Sequence, residues 1–248
     1  MNEPMPEDYV SPMIPTWTNC RADIGTYAHV RTIEMFLESV AIPSVRAIDD
    51  RVDQLRASEE VVAMFDLSDM EDLRAVTLSA LCLSLQSMWE QQLRGYLCAC
   101  AEELAKERPG LVSKLRGRDW EYLKRQFLEL RKLPFSHFKA HRDLDLLQLL
   151  GNFCRHGEGR ASAVIRADFP EFCMQIPASP PMPFEDSIGS PARLDIVVEV
   201  KDLERFAKAV VSFWTEAEWI YNNSISRKHE STVRAIKKRE LELTELAR

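Results

Sequence analysis

Asn152 and His156 stand four residues apart inside Leu144–Ala163, LDLLQLLGNFCRHGEGRASA, a run that reads as an apolar helix closed by a glycine-flanked turn. Residues at i and i+4 leave a helix on the same face, so an amide and an imidazole point the same way. Imidazole exchanges a proton near neutral pH. Arg155 and Arg160, on either side of the turn, carry permanent charge whose forked donors match paired oxygens. At 100° per residue, Leu144, Leu146, Leu147, Leu149, Leu150, Phe153 and Cys154 cover well over half the circumference. Asp145, Gln148, Asn152, Arg155 and His156 form one narrow polar stripe facing water, a cleft or a partner. The same pair also suits a structural role: His156 can cap the last carbonyls of the helix while Gly157 takes the left-handed turn, and Asn152 can satisfy a buried backbone group.

Other reactive spacings are weaker. His137 and His141, in SHFKAH, share an i, i+4 relation, but no carboxylate stands at the matching helix positions and Pro134 keeps that helix short. A metal is therefore not expected there. Cys98-x-Cys100 lacks metal-ligand spacing and a partner pair, and the six cysteines read as buried thiols of a reducing compartment. Glu90 and Arg94 read as an ion pair on one helix face, with lining a cleft as the alternative. The basic residues of the tail, Arg227 to Arg239, alternate with glutamates and read as a solvated helix.

Elements must hold the motif in place. Residues 1–22 contain four prolines and read as an extended arm. From Asp23 to about Phe65 the pattern is helical, with a break or kink at Pro43-Ser44. Ser68 or Asp69 reads as the N-cap of a helix that runs to Glu107 and stops at Pro109-Gly110. Its apolar stripe includes Leu73, Val76, Ala80, Leu83, Met88, Leu93 and Leu97, flanked by Trp89 and Tyr96. Asp119–Leu133 is a further amphipathic helix ended by Pro134, and Arg160–Asp168 a short one. A proline-rich loop or strap then runs to Pro191. RLDIVVEV, Arg193 to Val200, alternates as a strand, with Cys173–Ile176 as its candidate partner. A last core helix passes through Leu203, Phe206, Val210, Phe213, Trp214 and Ile220, and the segment from Ser224 reads as an exposed helix or tail.

Composition bounds the function. The chain has 248 residues, 46% of them hydrophobic and 29% charged, which is ordinary for a globular protein with a full core. A net charge of −7 argues against a surface that binds nucleic acid everywhere, while leaving room for a local basic cleft. The N-terminus shows no signal-peptide pattern and no apolar run reaches membrane-spanning length, so a cytoplasmic location with no membrane contact is expected. No cofactor is expected.

Gly151-Asn152-Phe153-Cys154-Arg155-His156-Gly157-Glu158-Gly159-Arg160-Ala161-Ser162-Ala163 resembles the HEPN superfamily, specifically bacterial HEPN-like sequences in which Asn-x-x-x-His-Gly-x-Gly is followed by Ser-Ala. SLQSMWEQQLRGYL and VVSFW fit the same group, so the resemblance spans residues 70–220. It implies a mainly α fold: an HEPN-like antiparallel helical bundle with a long central helix and one short strand or hairpin near 172–200. The implied domain covers 23–222, between an arm at 1–22 and an exposed helix or tail at 223–248. It further implies a metal-independent endoribonuclease or RNA-binding protein of a bacterial toxin–antitoxin or antiviral defence system. His156 would be its general base or acid, Asn152 the orienting amide, and Arg155 or Arg160 the phosphate contact. A homodimer would bring two motifs together, with RNA and an antitoxin or other defence protein as further partners. The chain departs from the family pattern at one place: an arginine ordinarily precedes the Asn, and here Gly151 fills that site. Arg155, Arg160, Arg142 and Arg94 are the cations left to replace it. The rival reading is a catalytically inactive helical interaction module that scaffolds a partner protein.

Overall fold

A computed structural model describes residues 7–176 and 193–246. The protein is mainly α, with one two-stranded antiparallel sheet. The helices are α1 (Tyr27–Phe36), α2 (Ile42–Arg56), α3 (Val61–Leu104), α4 (Leu111–Gly117), α5 (Trp120–Arg131), α6 (His141–His156), α7 (Arg160–Asp168), α8 (Val200–Ser224) and α9 (Glu230–Leu246). Strands β1 (Cys173–Ile176) and β2 (Arg193–Ile196) lie between α7 and α8 and pair with Cys173 opposite Ile196. The proline-rich segment expected as a loop or strap falls largely at 177–192, outside the described residues.

The chain divides into two compact units. One comprises Met1–Glu34, Trp89–Arg142 and Lys208–Arg248; the other comprises Met35–Met88 and Asp143–Ala207. This division differs from a single domain over 23–222 with an appended arm and tail, because both ends of the chain are built into the first unit. Asn223, fully buried, accepts a hydrogen bond from the Ser11 amide at 2.8 Å and donates to the carbonyls of Ser11 at 3.1 Å and Ile14 at 2.6 Å. Ser224 Oγ accepts from the Trp17 amide at 2.9 Å. Ile14 and Trp17 are buried, and α9 buries Val233 and Ile236. The expectation of an exposed tail is therefore corrected: an i, i+3 apolar pair is enough to seat a helix whose other faces are charged.

The first unit has an aromatic core. Phe213 of α8 packs against Phe138 (ring centroids 4.3 Å), Trp89 (4.9 Å) and Phe135 (5.3 Å), and Trp214 stands 5.9 Å from Trp89. Trp214 Nε1 donates to Gln92 Oε1 at 2.8 Å, which settles the polar atom of a fully buried indole. Trp89 and Tyr96, read from sequence as flanking the stripe, are core residues.

Local signals explain most helix limits. Asp119 accepts the Tyr122 amide at 2.9 Å as the N-cap of α5, and Lys132, at φ 57°, closes the same helix ahead of Pro134. Pro43 stands just inside the junction of α1 and α2, where the pattern marks a break or kink. It lies in the first turn of α2, immediately after a π-turn at Leu37–Ala41. Proline has no N–H to offer the preceding turn and its ring crowds the carbonyl four residues back, so the wider turn accommodates it. α3 begins at Val61, a full two turns before Ser68, and ends at Leu104.

Candidate functional site

All thirteen residues of the motif lie in the second unit, at the end of α6, the turn after it and the start of α7. α6 buries Leu144, Leu146, Leu147 and Leu150 as its pattern predicts. Gly157 ends the helix with φ 69°, and its amide donates to the Phe153 carbonyl at 2.7 Å. This is the left-handed closure that glycine adopts without penalty.

The polar stripe divides into a buried and an exposed part. Gln148 is buried and accepts a hydrogen bond at 2.9 Å from Gln86 Nε2 of α3. Gln86 is fully buried, and its Oε1 accepts from Arg155 Nη2 at 3.2 Å. Asn152 is half-buried, and Arg155, His156 and Arg160 are exposed. The stripe thus runs from an interior amide pair outward to an imidazole and two guanidinium groups. His156 is not sealed among aliphatic neighbours. Arg155 spans the change, an exposed residue with one nitrogen on the buried Gln86.

The packing of α6 on α3 gives Gly151 a structural reason. A Cβ placed on it would lie 2.4 Å from Gln86 Cγ and 2.8 Å from Gln86 Cβ, so α6 and α3 approach at this point too closely for any side chain. An arginine at 151 is sterically excluded by Gln86. Sequence reasoning overlooked Gln86; the available signal was a glutamine within the apolar face of α3, together with a glycine in the middle of α6.

Of the substitute cations, Arg94 is committed elsewhere. It pairs with Glu90 at 2.5 Å and donates to the carbonyls of Leu115 at 2.6 Å and Arg118 at 2.7 Å, which supports the reading as a helix-face ion pair. Arg142 lies at the start of α6, far along the helix from His156. At the turn itself, Glu158 brings a carboxylate that accepts from Ser162 Oγ at 2.9 Å and pairs with Arg166. Ser162 Oγ in turn accepts the Gly159 amide at 2.9 Å. The Glu158 carboxylate stands at the start of α7, so a phosphate would be met by the arginine side chains of the turn and not by the helix N-terminus itself. Arg160 has no hydrogen bond or ion pair among the described residues and is the uncommitted guanidinium of the turn.

Among the described residues no grouping of His, Cys, Asp and Glu could hold a metal ion. No helix of the described residues is long and apolar enough to cross a membrane. Comparison of the chain with protein-family models, with curated proteins and with solved structures gives no match.

Proposed function

We propose that the α6–α7 turn is the RNA-binding site of an HEPN-like protein, acting as a metal-independent endoribonuclease or RNA-binding protein in a bacterial toxin or antiviral defence system. The carrying observation is the exposed imidazole of His156 with the guanidinium groups of Arg155 and Arg160 in the same short turn. Cleaving RNA without a metal requires a base for the 2′-hydroxyl proton, an acid for the departing 5′-oxygen and fixed positive charge on the phosphorane. His156 supplies base or acid, Asn152 orients it, and Arg155 and Arg160 contact phosphate. One histidine does half of this proton work, so a homodimer placing two motifs at one scissile bond completes it. Both arginines reach the surface, but Arg155 is tethered to Gln86, so phosphate positioning falls more heavily on Arg160.

The test compares wild type with His156→Ala for host growth and RNA integrity on expression. RNA fragmentation lost in the variant supports the enzyme, and identical RNA profiles end it. Charge reversal of Arg155 and Arg160 is expected to weaken RNA binding and to lower the salt slope of log K by about 1.4, as two lost contacts to a single strand require.

A second reading is favoured by a specific feature of α3. Val62, Phe65, Leu73 and Val76 recur at spacings of three, eight and three along its first four turns and are exposed, Phe65 to 73% and Val76 to 66%. An apolar helical stripe left open to water marks a surface for protein contact. A catalytically inactive module that scaffolds a partner protein, an antitoxin or other defence protein among them, would use it. The RNA experiment separates the two readings.

A further inference from the structure

Cys20 and Cys100 lie far apart in sequence and meet in the first unit with their sulfurs 3.5 Å apart. Cys20 precedes a 3₁₀ turn at Arg21–Asp23, and Cys100 is on α3. Both thiols face the guanidinium of Arg131, whose Nη1 is 3.5 Å from Cys20 Sγ and 3.9 Å from Cys100 Sγ. Arg131 is itself buried, held by Asp23 Oδ1 at 2.6 Å and by the Thr18 carbonyl at 3.0 Å, with its charge 3.8 Å from the Trp17 ring. Asp23 also accepts from Tyr96 at 2.8 Å and from the Cys20 amide at 2.8 Å. The guanidinium therefore has a fixed position, and a sulfur anion beside it gains a hydrogen bond and a countercharge.

We propose that Cys20 and Cys100 are a hydroperoxide-reactive dithiol, in which Cys20 Sγ attacks peroxide and Cys100 Sγ resolves the product to a disulfide. The Cys20 thiolate attacks one oxygen of hydrogen peroxide. The O–O bond breaks, hydroxide leaves, and Cys20 becomes a sulfenic acid. Cys100 Sγ then attacks Cys20 Sγ, the S–O bond breaks, and the departing oxygen leaves as water with the Cys100 proton. In sum, two thiols and one peroxide give one disulfide and two waters, with two electrons passing from sulfur to oxygen.

The two sulfurs divide these roles by environment. The hydrogen bond between Cys20 and Cys100, aided by the Arg131 charge, holds the Cys20 thiol below its ordinary range against the opposing effects of burial and the Asp23 carboxylate. The hydrogen bond to Cys20 and burial push Cys100 far up, so it stays protonated until it is needed. Cys20 retains a 6% exposed surface while Cys100 has none. A cleft of about 610 Å³ lined by Arg21, Ala22, Ala99, Glu102, Glu103 and Lys106 borders the pair: Arg21 and Ala99 are the sequence neighbours of Cys20 and Cys100, while the cysteines themselves do not line it.

Reduced full-length protein is treated with one equivalent of hydrogen peroxide and analysed by non-reducing peptide mass spectrometry. The expected result is a loss of two hydrogens located in a Cys20–Cys100 linked peptide, formed before any product at the other four cysteines. In Cys100→Ser the sulfenic acid accumulates and dimedone labels Cys20; in Cys20→Ser the linked peptide disappears. Because either variant can disturb the fold, the wild type is also alkylated with iodoacetamide across pH, and Cys20 is expected to be modified at lower pH than a free thiol. Oxidation first at another cysteine, no Cys20–Cys100 link in the folded chain, or alkylation of Cys20 with an ordinary thiol pH profile would each overturn the proposal.

Discussion

Each unit buries a polar arrangement, and the two are built on opposite plans. In the first, a full charge pair, Arg131 with Asp23, lies at 0% and 1% side-chain exposure and draws in a phenol, two thiols and an indole face. In the second, the interior part is neutral, Gln86 bonded to Gln148, and charge begins only where Arg155 emerges. The thiol pairs follow the same contrast. Cys20 and Cys100 share a guanidinium, whereas the groups acting on Cys82 and Cys154 are each other, Ser79 and the Asp202 carboxylate. A buried charge needs a close countercharge, which Asp23 gives the Nη atoms of Arg131 although its Nε has no partner among the described residues; a charge at the surface keeps donors free for something else. The proposed RNA contact follows the second plan and the proposed reactive sulfur the first.

The sharpest way to break this contrast is Arg131→Met. It leaves the buried Asp23 carboxyl without its partner, and is expected to cost about 3–5 kcal/mol in denaturant unfolding. A change near zero would mean the pair is dispensable. Next is Gly151→Ala, whose methyl group overlaps Gln86; about 1–3 kcal/mol is expected, with part of it recovered in the double variant with Gln86→Ala. Full additivity would show that the two helices do not meet there as described. His29 gives a smaller effect. Burial beside Trp214, ring centroids 4.4 Å apart, pushes its imidazole below its ordinary value. Since the unfolded chain then binds the proton more readily, its stabilising contribution is present above pH ~6.5 and is lost as pH falls below it. His29→Gln should flatten the fall in stability between pH 7 and 5.5, measured by thermal unfolding. Smallest in stability terms is Arg160→Glu, expected to lie within about 0.5 kcal/mol because the exposed side chain makes no hydrogen bond or ion pair among the described residues, while RNA binding is expected to fall.

Much of the fold was legible in local chemistry. Asp119, Pro134 and the turn glycines place α5 and α6, Arg160–Asp168 is a helix as its pattern predicts, and the alternation after Arg193 found its partner at Cys173–Ile176. α4 was not, because seven residues with two buried leucines carry too little periodicity to stand out. The early start of α3 escaped for a related reason: its first turns put Val62, Phe65, Leu73 and Val76 into water while burying, among the described residues, only the small Ala63 before Leu78, so the apolar pattern does not mark the covered face. For the candidate site, the motif residues were legible and their surroundings were not. Gln86 lies 62 residues from Gln148, and Asp23 lies 108 from Arg131; no pattern along the chain signals a pairing at that range.

The first turns of α3 carry a further consequence. Asp69 interrupts the row formed by Val62, Phe65, Leu73 and Val76, and Asp66 and Asp72 border it. Like charges at these positions keep one molecule's row from settling against another's, a gatekeeping arrangement against sticky association. Replacement of the three aspartates by asparagine should therefore raise light scattering long before the chain unfolds.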